Sequence, residues 1–245
     1  MRLFTTAWLL PLVLSVVAGA VDVIGFLALG GLFTAHITGN LVVLAGHYIT
    51  GRFGEIAPLL SVPMFVVVLS IVTLTFVAKP IRIARRALLV LQAVVLGAFL
   101  GFGAGFGPFE NPNSGMAVFV GMLGVAAMAI QNALVRLALP GAPSTAVMTT
   151  NVTQFTVDVA MLARGSDEPG PLATVRRRAN LTLVSVIGFG VGLGLGALLE
   201  LHFGLWSLIF PMTLAALSIP LGESWNKFSE TGLNSESNGE RTNRV

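Results

Sequence analysis

The chain has no cysteine among its 245 residues, so structural disulfides, thiolate metal sites and cysteine nucleophiles are excluded. Charge is nearly as scarce. Only 10% of residues are Asp, Glu, Lys or Arg, where an average soluble domain carries about a quarter. The 3 histidines form no metal-ligand spacing, and no cofactor or metal is expected. No glycine-rich turn is followed by Lys-Ser or Lys-Thr, so there is no phosphate loop. Active transport by this chain would have to draw on an ion gradient or a partner ATPase.

What fills the chain is apolar: 55% of it is hydrophobic and its mean hydropathy is +0.87. Six stretches, at about 7–29, 57–78, 87–107, 115–138, 180–199 and 203–222, are long and apolar enough to cross a bilayer. A helix rises about 1.5 Å per residue, so some 20 residues span a core of about 30 Å. Two shorter stretches, at about 31–49 and 144–163, are richer in Thr, Asn and Gln. The expected fold class is all-α, a polytopic membrane protein.

The two shorter stretches carry a repeat. Thr34-Ala35-His36-Ile37-Thr38-Gly39-Asn40 returns as Thr145-Ala146-Val147-Met148-Thr149-Thr150-Asn151, 111 residues later. Each copy follows an apolar run with isolated polar groups, Asp22 in the first and Gln131-Asn132 in the second. The chain therefore reads as a duplication, with repeat one at about 5–107 and repeat two at about 115–222. Duplicated membrane proteins often build their functional centre where the halves meet.

Basic residues decide how many stretches cross, because Lys and Arg near spans collect on the cytoplasmic side. With six crossings, and with both motif segments entering and leaving on one side, eleven charges face the cytoplasm. These are Arg2, Lys79, Arg82, Arg85, Arg86, Arg136, Arg164, Arg176, Arg177, Arg178 and Lys227. Arg52 alone lies outside, the distal Arg241 and Arg244 being left uncounted. With eight crossings the same twelve divide seven to five. Six crossings plus two re-entrant segments is the better reading, although 17–20 residues also suffice for a short tilted span. Three crossings per half invert the second repeat relative to the first, whereas four would leave the repeats parallel. An inverted repeat brings the two motifs in from opposite faces, so Asn40 and Asn151 are expected to approach each other near the midplane, with Asp22 and Gln131 nearby. Both termini are then cytoplasmic.

The N-terminus imitates a secretory signal, with Arg2 before an apolar run and a small-x-small site at Ala18-Gly19-Ala20. The run continues through Leu29, long enough to span, so cleavage is not expected. The turn-rich segment Pro108–Gly115 separates the halves. Residues 1–222 read as one membrane domain. Residues 223–245, rich in Ser, Asn, Glu and Thr, read as a disordered cytoplasmic tail, because too little apolar surface offsets the ordering entropy.

Residues 18–27 (Ala-Gly-Ala-Val-Asp-Val-Ile-Gly-Phe-Leu) and the Phe33–Asn40 motif resemble the signature of a bacterial YoaK-type family of integral membrane proteins. The second half is similar through Ala129-Ile130-Gln131-Asn132-Ala133 and Thr145–Thr149. The resemblance covers about residues 5–222. It implies a bacterial inner-membrane location and no established activity. One departure is Thr150, which stands where the first motif has Gly39, and changes backbone freedom there.

The candidate substrate-binding or pore residues are Asp22, Thr34, His36, Thr38, Asn40, Gln131, Asn132, Thr145, Thr149, Asn151 and Asp158. An ionised Asp22 inside the first span costs at least about 2.5–3.5 kcal/mol unless it faces protein, water or an ion. It reads as a hydrogen-bond partner of a backbone amide or of Asn40, as a solute, proton or cation site, or as a group at an exposed helix end. Asp158, whose counterpart is His47, reads as a group at a re-entrant exit or as a site residue. His36 either relays protons or packs. On a helix, Thr34 and Thr38 would share a face, as would Thr145 and Thr149. Those threonines, with Asn40 and Asn151, line a site or act as interhelical glue worth about 0.6–2 kcal/mol per contact.

Gly97, Gly101 and Gly105, and Gly188, Gly192 and Gly196, form small-residue stripes suited to close helix packing within the protomer or between protomers. Trp8 and Trp206 read as interfacial anchors. Pro11, Pro63 and Pro211 can kink their spans. The isoelectric point of 10.2 arises from cytoplasmic loops that set topology and touch lipid headgroups, so membrane lipid and a small solute or ion are the expected partners and nucleic acid is not. The leading function is a small-solute or ion transporter or channel, followed by a non-transporting scaffold or assembly factor. An enzyme is not expected. Asp22 and Asp158 stand at non-equivalent positions, which argues against an aspartyl dyad, and no Ser/His nucleophile arrangement is present.

Overall fold

A computed structural model describes residues 2–49, 56–165, 169–223 and 225, and it is all-helical among them. The order is α1 (Arg2–Ala28), α2 (Ile37–Ile49), α3 (Ile56–Phe76), α4 (Ile81–Phe106), α5 (Gly115–Ala138), α6 (Met148–Arg164) and α7 (Pro169–Phe203). A 3₁₀ turn, Gly204–Leu208, follows, and the chain continues as a helix, α8, over 209–223. The expected tail lies outside the described residues except for positions 223 and 225.

Five of these segments are long and apolar enough to cross a membrane: Trp8–Ala28, Ile56–Phe76, Ile81–Phe106, Gly115–Ala138 and the 52-residue Leu172–Glu223. The last joins the stretches 180–199 and 203–222 that the sequence separates. Its only interruption is the 3₁₀ turn, where Gly204 adopts φ +55°, a conformation that side chains disfavour. The short α2 and α6 begin at Ile37 and Met148, 111 positions apart, so the sequence repeat is a structural one in its local form.

Helices α1 and α5 form the centre. Leu10, Leu14, Val17, Val21 and Ile24 of α1 are fully buried, as are Val120, Val125, Met128 and Leu134 of α5. The first helix of each half packs on the third helix of the other, α1 against α7 and α5 against α3. The short helices pack within their own halves, α2 on α3 and α6 on α7.

One glycine stripe explains the α1–α7 contact. A Cβ at Gly192 would overlap the carbonyl oxygen of Val16, and one at Gly196 would lie 2.9 Å from Ala20 Cα. From the other side, Gly19 lies directly against the Phe189 carbonyl. The two backbones touch because no side chain intervenes, the arrangement that small-residue stripes permit. The second stripe does not repeat this: a Cβ at Gly97, Gly101 or Gly105 meets nothing within 4 Å.

Polar contacts fix which ends of the helices lie together. At one end, the Ile56 N–H, which opens α3, donates to Asn113 Oδ1 at 2.9 Å. A side chain at Gly30 would lie 2.6 Å from Pro112 Cβ. The exit from α1 and the start of α3 therefore flank the same 111–113 turn. At the other end, the buried Arg85 donates through Nε to the Ala138 carbonyl (2.9 Å) and through Nη1 to the Gly222 carbonyl (3.0 Å). Its charge sits at the C-terminal ends of α5 and α8, where the helix dipoles favour a cation.

Candidate functional site

Between α1 and α2 the chain runs non-helically to Ile37, and its backbone groups must find partners. Asp22, six residues before the end of α1 and almost fully buried, supplies them. Its Oδ1 accepts from the N–H of Ala35 (2.7 Å), the N–H of His36 (3.3 Å) and Thr34 Oγ1 (3.4 Å). Its Oδ2 lies 2.6 Å from His36 Nδ1. The carboxylate thus stands at the N-terminus of α2, where exposed N–H groups and the helix dipole favour an anion. The half-buried His36 ring packs edge-on against Phe189 of α7, with centroids 5.3 Å apart.

Asn40 closes the same loop from the first turn of α2. Its Oδ1 accepts the Phe33 N–H at 2.8 Å, while Nδ2 donates to the Phe33 carbonyl (2.7 Å) and Ser61 Oγ (2.8 Å). Ser61 Oγ donates in turn to the Pro58 carbonyl at 2.7 Å. The second half repeats the clamp: Asn151 Nδ2 donates to the Ser144 carbonyl at 2.6 Å, and Ser144 and Asn151 stand 111 positions beyond Phe33 and Asn40.

The polar group beneath the second loop differs. Gln131, fully buried in α5, donates through Nε2 to Thr145 Oγ1 and to the Leu14 carbonyl of α1, both at 2.8 Å. Gln92 Nε2 of α4 donates to its Oε1 at 2.5 Å. Thr145, the counterpart of Thr34, therefore again meets a polar residue of the preceding long helix. The N–H groups of Ala146 and Val147, which Asp22 would serve by analogy, donate instead to Ser144 Oγ at 3.4 and 2.9 Å.

Thr34 and Thr145 are buried, whereas Thr38 and Thr149 are exposed. The expectation that each pair shares a helix face is corrected. Thr34 and Thr145 lie before their helices begin, so the helical period does not apply to them. Asn132 is half-buried and returns its amide to the Met128 carbonyl at 2.9 Å. Asn40 and Asn151 each bond within their own half.

Asp158 is fully buried in α6. It accepts from Arg178 Nε (2.9 Å to Oδ2) and Nη2 (2.5 Å to Oδ1), and from Gln154 Nε2 at 2.8 Å. Arg178, read in the sequence as a charge that sets topology and touches lipid headgroups, is thus a fixed guanidinium with its side chain 49% exposed. Gln92, Ser61 and Ser144 were also missed. Gln92 left a trace, since it is an isolated polar residue in an apolar run. Ser61 and Ser144 had no such contrast.

A cavity of about 430 Å³ opens beside Arg178, between the end of α5, the 139–147 loop, α6 and α7. Among its lining residues are Ser144, Val147, Thr150 and Asn151, the repeat counterparts of Phe33, His36, Gly39 and Asn40. In the first half the Phe33 ring packs over Gly39, its Cδ2 lying 3.0 Å from where a Cβ would stand. Serine replaces that ring in the second half. Among the described residues no group of three or more His, Cys, Asp or Glu side chains could hold a metal ion.

Several apolar helices of spanning length, with two helix breaks closed over buried polar side chains, define the class as a helical protein of membrane type. The chain belongs to the family described as protein of unknown function (DUF1275), whose model matches residues 10–220. No curated protein and no solved structure matches it.

Proposed function

We propose that the protein is a small-solute or ion transporter or channel and not an enzyme. It has six crossings, two re-entrant segments and an inverted repeat, and lies in a bacterial cell membrane of the kind its YoaK-type resemblance implies, with both termini cytoplasmic. One observation carries this reading. The same broken-helix motif is built twice, each time over a buried polar side chain, and each copy draws on both halves. The first reaches Phe189 of α7 and the second reaches Leu14 of α1 and Gln92 of α4. Broken helices at a repeat interface are the usual site of solute and ion binding in transporters.

The end contacts support the crossing number. Eight crossings would put Gly30 and Pro112 on opposite sides, and Arg85 and Gly222 likewise, yet each pair is in contact. Six crossings keep both pairs together. The 52-residue segment Leu172–Glu223 then crosses twice, turning at Gly204. Helix α2, at 13 residues, is only about 20 Å long, shorter than the hydrocarbon core of about 30 Å.

The scaffold reading draws on a different observation: the hydrogen bonds of the fully buried Asn40 go to loop backbone and Ser61, as a structural clamp requires. Flux in proteoliposomes, across a panel of anionic, cationic and neutral solutes with and without a pH gradient, decides between them. Uptake above protein-free vesicles is expected, and its absence across the panel would leave the scaffold.

A further inference from the structure

We infer that the cavity at the start of α6 binds a small soluble oxyanion, a carboxylate or phosphate group on a compact molecule. The inference names the solute class for the transport reading and rests on that reading only for the claim that the anion crosses. At about 430 Å³ the cavity lies within the range of small-molecule sites, about 300–1,000 Å³. Two guanidinium groups, Arg136 and Arg178, line it together with Asn132, Thr150, Asn151 and Gln154, and its lining contains no carboxylate.

Arg178 is held for this purpose. Asp158 holds it through both oxygens and also accepts from Gln154 Nε2, which fixes the guanidinium plane. The pair uses two of the five donors that an arginine carries, and the rest remain for the cavity the residue lines. A fixed guanidinium fork suits the planar oxygens of carboxylate and phosphate.

The repeat supplies an independent reason. In the first half the chain places its own anion, Asp22, at the N-terminus of α2, on the N–H groups of Ala35 and His36. In the second half the corresponding N–H groups turn to Ser144, and α6 has no side-chain cap at Val147. Where the first half is filled by the Phe33 ring over Gly39, the second has Ser144, Thr150 and open space. One half-helix terminus thus carries a built-in carboxylate, and the other faces a basic cavity.

The test uses the full-length protein in phosphatidylcholine nanodiscs in low-chloride buffer. Inorganic phosphate and succinate are titrated by calorimetry, with glycerol as the neutral probe. Binding of at least one anion and none of glycerol is expected. Arg136→Gln, an exposed position, should weaken it about tenfold or more without lowering the melting temperature of the unliganded protein. Arg178→Lys, which keeps the charge for Asp158 but loses the fork, should weaken it further. The inference is overturned if neither anion binds, if both variants bind as well as the parent, or if, in a second set of discs containing phosphatidylglycerol, that lipid displaces both anions, which would make the site one for lipid headgroups. Arginine-dependent binding without flux would retain the site and remove the transport reading. Flux of an uncharged solute without anion binding would do the reverse.

Discussion

Asp22 and His36 share a contact of 2.6 Å between Oδ2 and Nδ1, with the carboxylate buried and the imidazole half-exposed. The carboxylate also holds the backbone that starts α2, so it joins a titratable pair to the geometry of the helix break.

Two substitutions separate these roles. Asp22→Asn retains an oxygen for the Ala35 and His36 N–H groups but cannot serve as the acid–base partner of the ring. It should fold and melt near the parent while ion-coupled flux falls sharply or loses its pH dependence. Asp22→Leu strands the loop N–H groups and should destabilise by about 1–3 kcal/mol. Normal pH-dependent uptake by the Asn variant in proteoliposomes would remove Asp22 from the functional residues.

The two clamps should differ in strength. Asn40 makes three hydrogen bonds to loop backbone and Ser61, whereas Asn151 makes one to backbone, at Ser144, and a long contact to Met148 Sδ at 3.8 Å. Asn40→Ala should therefore cost about 2–3 kcal/mol and Asn151→Ala about 1 kcal/mol, read from unfolding in mixed micelles. Equal losses would mean that the first clamp is not the stronger.

The glycine stripes should respond in opposite ways. Gly192→Ala drives a methyl group into the Val16 carbonyl, so α1 and α7 must separate, at about 1–3 kcal/mol for an overpacked contact. Gly101→Ala meets open space and should leave stability unchanged or raise it by up to about 1 kcal/mol. A loss of oligomer on size-exclusion chromatography for Gly101→Leu, with folding intact, would assign that stripe to contact between protomers.

Topology is accessible because the chain has no native cysteine. Single cysteines at Ile56 and Asn113 should both label with a membrane-impermeant maleimide from the outside. Cysteines at Arg82, Pro140 and Glu223 should label only after the membrane is opened. Labelling of position 56 only from the inside and of position 82 from the outside would turn α2 into a full crossing.

Much of the fold was legible because a bilayer imposes a simple rule, that long apolar runs become helices when backbone polar groups have no water to bond. All six long runs appear as helices or parts of helices, the last two joined in the segment Leu172–Glu223. The 111-residue repeat located both breaks, since each short helix begins at the same motif position. The threonine spacing misled because a helical period was applied to residues that precede the helix, and nothing local marks Ile37 or Met148 as the first helical residue.

The sequence by itself determined the all-α class, the recurrence of the motif after 111 residues, the absence of thiol chemistry and the polar positions around each copy, because these follow from composition and spacing along one chain. Tertiary structure alone decided which polar groups meet. Arg178 reaches Asp158 across 20 residues and Arg85 reaches Gly222 across 137, and no local pattern encodes such pairings. It also decided that Asp22 holds the loop N–H groups just before α2 while Arg178 borders a cavity beside α6. That difference depends on whether the space beside the loop is filled by the Phe33 ring or left open by Ser144, a matter of packing between helices rather than of spacing within them.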